Sequence, residues 1–252
     1  MKISATTGKY VFLPLLAGIF TWRCAVQFHP PEPPEPEYQG KKLTDWAKEI
    51  DRMDFFRKPE FQQHKAQSEL ALVAIRRIGT NALPMALRLC AAQDSWFKRK
   101  YTAWIQEHGD EAWAVKPPFK INFIPADEQR FEGINIIWAL GPAAKPAIPR
   151  LIQLFQSSDP EIAEDMMDAL PGAGTNVVPP LIGLLHSPDK DVRTRAAILL
   201  GRYFGPQAQA AIPVLLECLD DPKLNLVSRA RVIHALDLVR TPNPPMKQFE
   251  NP

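Results

Sequence analysis

The stretch DVRTRAAILLG at residues 191–201, followed by IPVLL at residues 212–216, decides the fold of this chain. In the first stretch, Val192, Ala196 and Leu200 are spaced by four residues and therefore share one face of a helix. Glycine then ends that helix. The proline of the second stretch opens another, because the missing amide hydrogen of proline is tolerated in the first turn of a helix. The two stretches predict a pair of helices joined by a turn.

The same pattern recurs along the chain. A triplet of apolar residues recurs, with His108 as the polar exception, and its last position falls at residues 78, 108, 140, 170, 200 and 236. A spacing of about 30 to 36 residues is typical of stacked helical repeats. We therefore predict an all-α fold, a solenoid of stacked antiparallel helix pairs over residues 42–240. The residues expected to end the first helices are Gly79, Gly109, Gly141 and Gly201, with Pro171-Gly172 in one copy.

Second helices are expected to begin at a proline, and first helices at an aspartate that caps the helix. A shorter helix at residues 42–55, with Trp46 as its anchor, is expected to close the array at its amino-terminal side. The prolines are Pro84, Pro149, Pro179 and Pro213, and the aspartates are Asp94, Asp159, Asp189 and Asp221.

These residues resemble HEAT-like repeats, in which an Asp, a Val-Arg, paired alanines and Leu-Gly precede a Pro-x-Leu. The turns at residues 79–84 and 174–179, with residues 38–41 upstream, also resemble a bacterial family of exported HEAT-repeat proteins. The resemblance covers residues 38–240. It implies a scaffold or binding module, since no reaction is shared across such families.

Residues 1–28 have the charge and apolar pattern of a signal peptide or a membrane anchor, since lysines precede the apolar stretch 10–22. A hydrophobic tail packed on the end of the array is the alternative. Residues 29–41 are rich in Pro and Glu and are predicted to be an extended linker, and residues 241–252 a flexible tail. The order of these segments, an apolar segment, an extended linker and a helical array, predicts an exported protein that is anchored in the inner membrane or periplasmic.

The composition excludes several classes of site. A net charge of +2, with both signs interleaved, does not favour nucleic acid. The basic clusters at residues 98–100 and 193–195 are expected to be solvated faces. Three cysteines, Cys24, Cys90 and Cys218, give neither metal-ligand spacing nor an even number for disulfides. Cys90 and Cys218 occupy apolar positions of second helices, so we expect them in the core.

The second copy of the pattern is irregular. Its first helix, at residues 95–108, is followed by a loop at residues 110–126 and by no regular second helix. Long irregular segments in a compact array are often functional, so Trp113, Phe119 and Phe123 are candidate partner-binding residues. The alternative is that these aromatic side chains fill the space of the missing helix.

Two further surfaces are candidates for binding. Glu161, Glu164, Asp165 and Asp168 form an acidic stripe that would suit a basic partner or a divalent cation, or is a solvated face. The second helices form another surface, with polar positions that recur four and seven residues after the prolines. These positions hold Arg88, Gln153, Gly183 and Glu217, with Gln156 and His186 further on.

The sequence therefore predicts a non-catalytic protein-protein interaction scaffold, tethered at a membrane through its amino-terminal segment, with another protein as its partner. A helical-repeat enzyme of the lyase or metal-dependent hydroxylase type is the alternative. No histidine is followed by glutamate, the pair with which some HEAT-like enzymes hold iron, and no phosphate-binding loop or nucleophile elbow is present. We expect no cofactor and no metal.

Overall fold

The computed structural model describes residues 34–50, 65–96, 98–100, 103, 124–222 and 224–241. Several predictions lie outside these residues and are not tested by the structure. They are the anchor or signal peptide at residues 1–28, the glycine turn at Gly109, and the candidate partner-binding residues Trp113, Phe119 and Phe123.

The described chain starts with an antiparallel hairpin, in which each strand has two residues, and continues as helices. The hairpin consists of β1 Glu37–Tyr38 and β2 Lys41–Lys42. The helices are α1 Leu43–Lys48, α2 Lys65–Ile78, α3 Leu83–Cys90, α4 Ala126–Leu140, α5 Ile148–Phe155, α6 Pro160–Gly172, α7 Val178–Leu184, α8 Lys190–Leu199, α9 Ile212–Leu219 and α10 Leu226–Arg240.

The helices form layers, each made of a first helix, a turn and a shorter second helix. Each second helix packs against the first helix of the next layer, so α3, α5, α7 and α9 contact α4, α6, α8 and α10. First helices also pack on one another in order, from α2 through α4, α6 and α8 to α10. One continuous hydrophobic core runs from Leu43 to Val239. The prediction of an all-α solenoid is confirmed.

Short 3-10 turns join the helices of a layer, and each turn begins at a glycine with positive φ. Gly79 and Gly141, with φ of 65° and 56°, are turn glycines as predicted. The other two turns begin at Gly174 and Gly205, with φ of 75° and 45°. The prediction that Gly201 ends its helix is therefore wrong. Helix α6 does end at Gly172, as predicted, but the residue with positive φ that begins its turn is Gly174.

Gly201 and Gly172 serve close packing instead of chain reversal. A Cβ at residue 201 would lie 2.6 Å from the Cα of Ala235, and one at residue 172 would lie 2.9 Å from the Trp138 ring. Helix α8 therefore continues past Gly201 as a π turn, Leu200–Phe204, before Gly205 ends it. These glycines let neighbouring first helices approach each other more closely than any side chain would allow.

Helices α3 and α4 are direct neighbours in the stack, although the irregular segment separates them in the sequence. Helix α3 packs directly on α4, and a Cβ at Gly133 would lie 2.8 Å from the backbone nitrogen of Cys90. Backbones in such contact leave no space for a helix between them. Most of the helix predicted at residues 95–108 lies outside the described residues, and the direct contact of α3 with α4 leaves no layer of the stack between these two helices.

Hydrogen bonds also connect the two sides of the irregular segment. Asp94 Oδ1 accepts a hydrogen bond from the Ala126 backbone nitrogen at 3.0 Å, and Ala126 is the first residue of α4. Asp94 thus caps a helix that begins 32 residues later in the chain. The irregular segment lies between a helix and its capping residue.

Two other predicted caps are confirmed and one is wrong. Asp159 and Asp189 accept hydrogen bonds from the backbone nitrogens of Glu161 and Asp191, at 3.0 and 2.8 Å. Helix α10, by contrast, is capped by Asn225, whose side chain accepts from the Ser228 nitrogen at 2.8 Å. Asp221 forms an ion pair with Arg193 instead.

The amino-terminal boundary differs from the predicted one. Residues 37–41, expected in the linker, belong to the hairpin, and Trp46 Nε1 donates a hydrogen bond to the Tyr38 carbonyl at 3.2 Å. The Lys41 ammonium lies 4.1 Å from the centre of the Trp46 ring. These contacts fold the chain onto α1, because a cation over an indole face is favourable.

Among the described residues, Lys65–Cys90 is the segment long and apolar enough to cross a membrane by length and composition. It is a pair of core helices, since the turn at Gly79 divides it. Ile75 and Ala86 are fully buried in the array, and Arg76 Nε donates to the Ala139 carbonyl at 3.0 Å. The structure therefore assigns this segment to the core of the first layer.

Candidate functional site

The second helices present a row of exposed positions, which we name the second-helix face. It consists of the residues predicted from the sequence, Arg88, Gln153, Gln156, Gly183, His186 and Glu217, and all of them are exposed. Because α3, α5, α7 and α9 belong to successive layers, equivalent positions on these helices follow one another along the array.

The short second helices project these side chains for a simple reason. The residues two and five positions after each proline are buried, as with Leu151 and Leu154 of α5. The residue four positions after the proline then points away from the core, because successive residues are separated by about 100° around a helix. Burial of the apolar positions thus fixes the outward direction of the polar ones.

The size of the exposed side chains varies along the second-helix face. Arg88 Nη2 lies 2.7 Å from Met85 Sδ on its own helix, and Arg150 Nη1 donates to Gln153 Oε1 at 3.0 Å. A Cβ at Gly183 would meet no atom within 4 Å. The face therefore has long polar side chains at one end and an open, side-chain-free position on α7.

An arginine of the preceding layer partly neutralises the acidic stripe of α6. Arg130 of α4 is 3% exposed and forms ion pairs with Asp165 and Glu161, the latter at 3.3 Å. Burial lowers the pKa of Arg130, but the hydrogen bonds to Asp165 and Glu161 and their charges outweigh it, so the pKa is raised. The stripe therefore joins two layers instead of presenting four carboxylates for a ligand.

Asp168, at the end of the stripe, also contacts neighbouring layers. Its carbonyl accepts a hydrogen bond from Trp138 Nε1 at 2.6 Å, and its carboxylate accepts one from the Tyr203 hydroxyl at 3.3 Å. The local sequence pattern does not predict these contacts, because they join residues about one repeat apart.

Arginines of the first helices bind the carboxyl ends of preceding second helices. Arg130 donates to the Ala92 carbonyl at 3.0 Å, Arg193 to that of Pro188 at 3.2 Å, and Arg229 to that of Asp221 at 3.3 Å. A cation stabilises the carbonyls that a helix leaves unpaired at its end. The expectation that Arg193 and Arg195 form a solvated face is wrong, since both take part in contacts between layers.

The two described cysteines lie in the core as predicted. Burial, with the negative charge of Asp165, raises the pKa of the Cys90 thiol to about 12. Burial also raises the pKa of Cys218, whose Sγ donates to the Leu185 carbonyl at 3.4 Å. Only a small fraction of either thiol is ionised at neutral pH, and the thiolate is the nucleophile.

The described part of the chain has no arrangement of histidines, cysteines and carboxylates suited to a metal ion. No group of three or more His, Cys, Asp or Glu side chains there is arranged to hold a metal ion. His186 and His234 are exposed on different segments, after α7 and on α10.

Comparison with known proteins supports the architecture. Residues 148–237, which contain α5 to most of α10, match the family model of HEAT repeats. No curated protein matches the chain. Outside the match, α2 to α4 follow the same plan of first helix, glycine turn and proline-opened second helix. Residues 148–237 therefore resemble HEAT repeats, and the described chain as a whole is a stack of helix pairs, an architecture that commonly serves protein interaction.

Proposed function

We propose that this protein is a non-catalytic scaffold that binds another protein on its second-helix face. One observation carries the proposal: four successive second helices expose Arg88, Gln153, Gly183 and Glu217 at the same position. A repeated ligand would call for repeated side chains. Four different side chains on an extended surface suit the irregular surface of a protein.

The burial of the thiols supports the non-catalytic part of the proposal. Cys90 and Cys218 are the candidate nucleophiles of the array, and their raised pKa values disfavour the reactive thiolate. HEAT repeats are generally not catalytic, and the contacts of Arg130 and Arg193 join layers instead of lining a cleft.

A substitution at Gly183 tests the binding surface. Because a Cβ at this exposed position would meet no atom within 4 Å, Gly183→Trp should leave the fold intact and obstruct the face. Glu164→Trp, on an exposed position of first helix α6, is the matched control. Full-length variants are used as bait, and captured proteins are quantified by mass spectrometry.

We expect a protein that wild type and Glu164→Trp capture in comparable amounts and Gly183→Trp does not. Equal capture by both variants, or the absence of any protein captured by wild type, would contradict the proposal. Circular dichroism of each variant controls for loss of folding.

We also propose that the scaffold is exported and held at the inner membrane, or in the periplasm, through residues 1–28. The sequence pattern of lysines before an apolar stretch supports this. Replacing Leu15 and Leu16 by Asp should release the chain from the membrane fraction, because two charges disfavour insertion of a short apolar segment. A wild-type chain that stays in the cytosol would contradict the proposal.

A further inference from the structure

The exposed charges of the second helices change sign along the array. Helices α3 and α5 expose Arg88 and Arg150, while α7 has no charged residue. Helix α9 exposes Glu217, and Asp220 follows at its carboxyl end. With Arg150 and Asp220 beside it, the second-helix face is therefore basic at one end and acidic at the other.

An apolar row accompanies this charge gradient. The residue before each polar position is aliphatic and incompletely buried: Leu87, Ile152 and Ile182 are half-buried, and Leu216 is 41% exposed. These side chains pack on the core with one side and face solvent with the other. The row provides an apolar contact surface at every layer. The basic residues lie at one end of this row and the acidic residues at the other.

We propose that the partner of this face is a protein segment with segregated charges, acidic where it meets α3 and α5 and basic where it meets α9, with apolar residues between. This inference rests on the proposed function. Exposed ion pairs add little affinity each, but complementary charges fix the register and direction of a bound segment. The apolar row then supplies most of the contact.

The geometry sets the length of that segment. Packed helices are separated by about 10 Å, so three steps between layers place Arg88 and Glu217 about 30 Å apart. An extended chain spans this distance with about nine residues, and a helix with about 20.

Two fluorescent peptides of the same composition, each about twelve residues long, provide the test. One carries Glu at one end, Lys at the other and Leu and Ile between, while in the other Glu and Lys alternate. Binding to the full chain is measured by fluorescence anisotropy at low and at raised salt. We expect the segregated peptide to bind about tenfold more tightly, and the difference to shrink with salt because screening weakens exposed charges. Equal affinities, or no binding of the segregated peptide, would overturn the inference.

Charge-reversal variants test the direction. Arg88→Glu with Arg150→Glu should weaken binding of the segregated peptide about fivefold or more, because its acidic end meets repulsion. Glu217→Lys with Asp220→Lys should do the same at the other end. All four changes together should restore binding, since the peptide can then bind in the opposite direction.

The outcomes separate this inference from the proposed function. A fourfold variant that binds as weakly as either pair would overturn the charge assignment. If Gly183→Trp abolishes capture of the partner while the charge variants bind both peptides alike, the face is the binding surface and the segregated partner is wrong. If Gly183→Trp has no effect on capture, the binding surface itself is wrong.

Discussion

Gly201 lies against the backbone of Ala235, so closely that a Cβ at residue 201 would stand 2.6 Å from the Ala235 Cα. This contact sets the separation of the first helices α8 and α10. We predict that Gly201→Ala destabilises the protein by about 1–3 kcal/mol, because the helices must move apart.

Gly183 is the matched control for that prediction. It lies within α7, and a Cβ there would meet nothing within 4 Å. Gly183→Ala should therefore stabilise the protein by about 0.5 kcal/mol, since alanine favours helix. Urea unfolding of both variants measures the difference, and equal effects of the two substitutions would contradict the close approach at Gly201.

The cap across the irregular segment gives a second prediction. Asp94→Ala should cost about 1 kcal/mol of unfolding free energy, and Asp94→Asn much less, because asparagine also caps helices. Asp159→Ala should cost about the same as Asp94→Ala, since both remove a cap at the start of a first helix. An Asp94→Ala variant as stable as wild type would show that α4 is not capped by this residue.

Arg130 gives a third prediction, concerning the joint between layers. Arg130→Met leaves Asp165 without its ion pair and the Ala92 carbonyl without its donor. We expect a loss of about 3 kcal/mol, the lower end for a broken buried pair, because Asp165 is partly exposed. Glu161→Gln is the control and should change stability by less than about 0.5 kcal/mol, since the Glu161 side chain is 78% exposed. Equal thermal unfolding of the two variants would count against a structural role of Arg130.

The contact between Lys41 and Glu49 gives a prediction on pH. Burial raises the pKa of Glu49, but hydrogen bonds from Lys41 and Gln67 and the Lys41 charge outweigh it, so the pKa is lowered from 4.5. A lowered pKa in the folded state means that this stabilisation is present above pH 4.5 and is lost as the pH falls below it.

The wild type should therefore be more stable than Glu49→Gln at pH 7, by up to about 1 kcal/mol for a partly exposed pair. The difference should vanish on acidification. Lys41→Met should remove most of the same pH dependence, because it removes the charge and one of the two hydrogen-bond donors to Glu49. A difference between wild type and Glu49→Gln that persists at the lowest pH would contradict the assignment.

The periodicity of apolar residues was sufficient to predict the stack, because burial of one helix face imposes a regular spacing. It did not identify which glycine reverses the chain. Leu200-Gly201 has the same residue pattern as Ile78-Gly79, but Gly201 stands twelve residues before Pro213. Turn glycines at Gly79 and Gly174 stand five residues before Pro84 and Pro179. Distance to the proline is not sufficient by itself, because the turn glycines Gly141 and Gly205 stand eight residues before theirs and Gly172, which does not begin a turn, stands seven.

The direct contact of α3 with α4 and the hydrogen bonds between layers could not be predicted from the local sequence pattern. Residues 95–108 resemble a first helix in sequence, and nothing in that pattern indicates that α3 packs directly on α4, with Gly133 against Cys90. Similarly, the sequence around Arg193 and Arg195 indicates solvated charges, and only the structure shows that these side chains contact neighbouring layers. One signal was present: Arg193 and Arg229 each follow the capping residue of their helix by four positions.

Site-specific photocrosslinking tests the central claim, that the partner binds the second-helix face, most directly. A benzophenone amino acid is placed at residue 153 on α5 or at residue 164 on α6, both exposed, in the full chain within the cells that produce it. We predict a covalent adduct with another protein from residue 153 and none from residue 164. Adducts from residue 164 alone, or equally from both positions, would contradict the account.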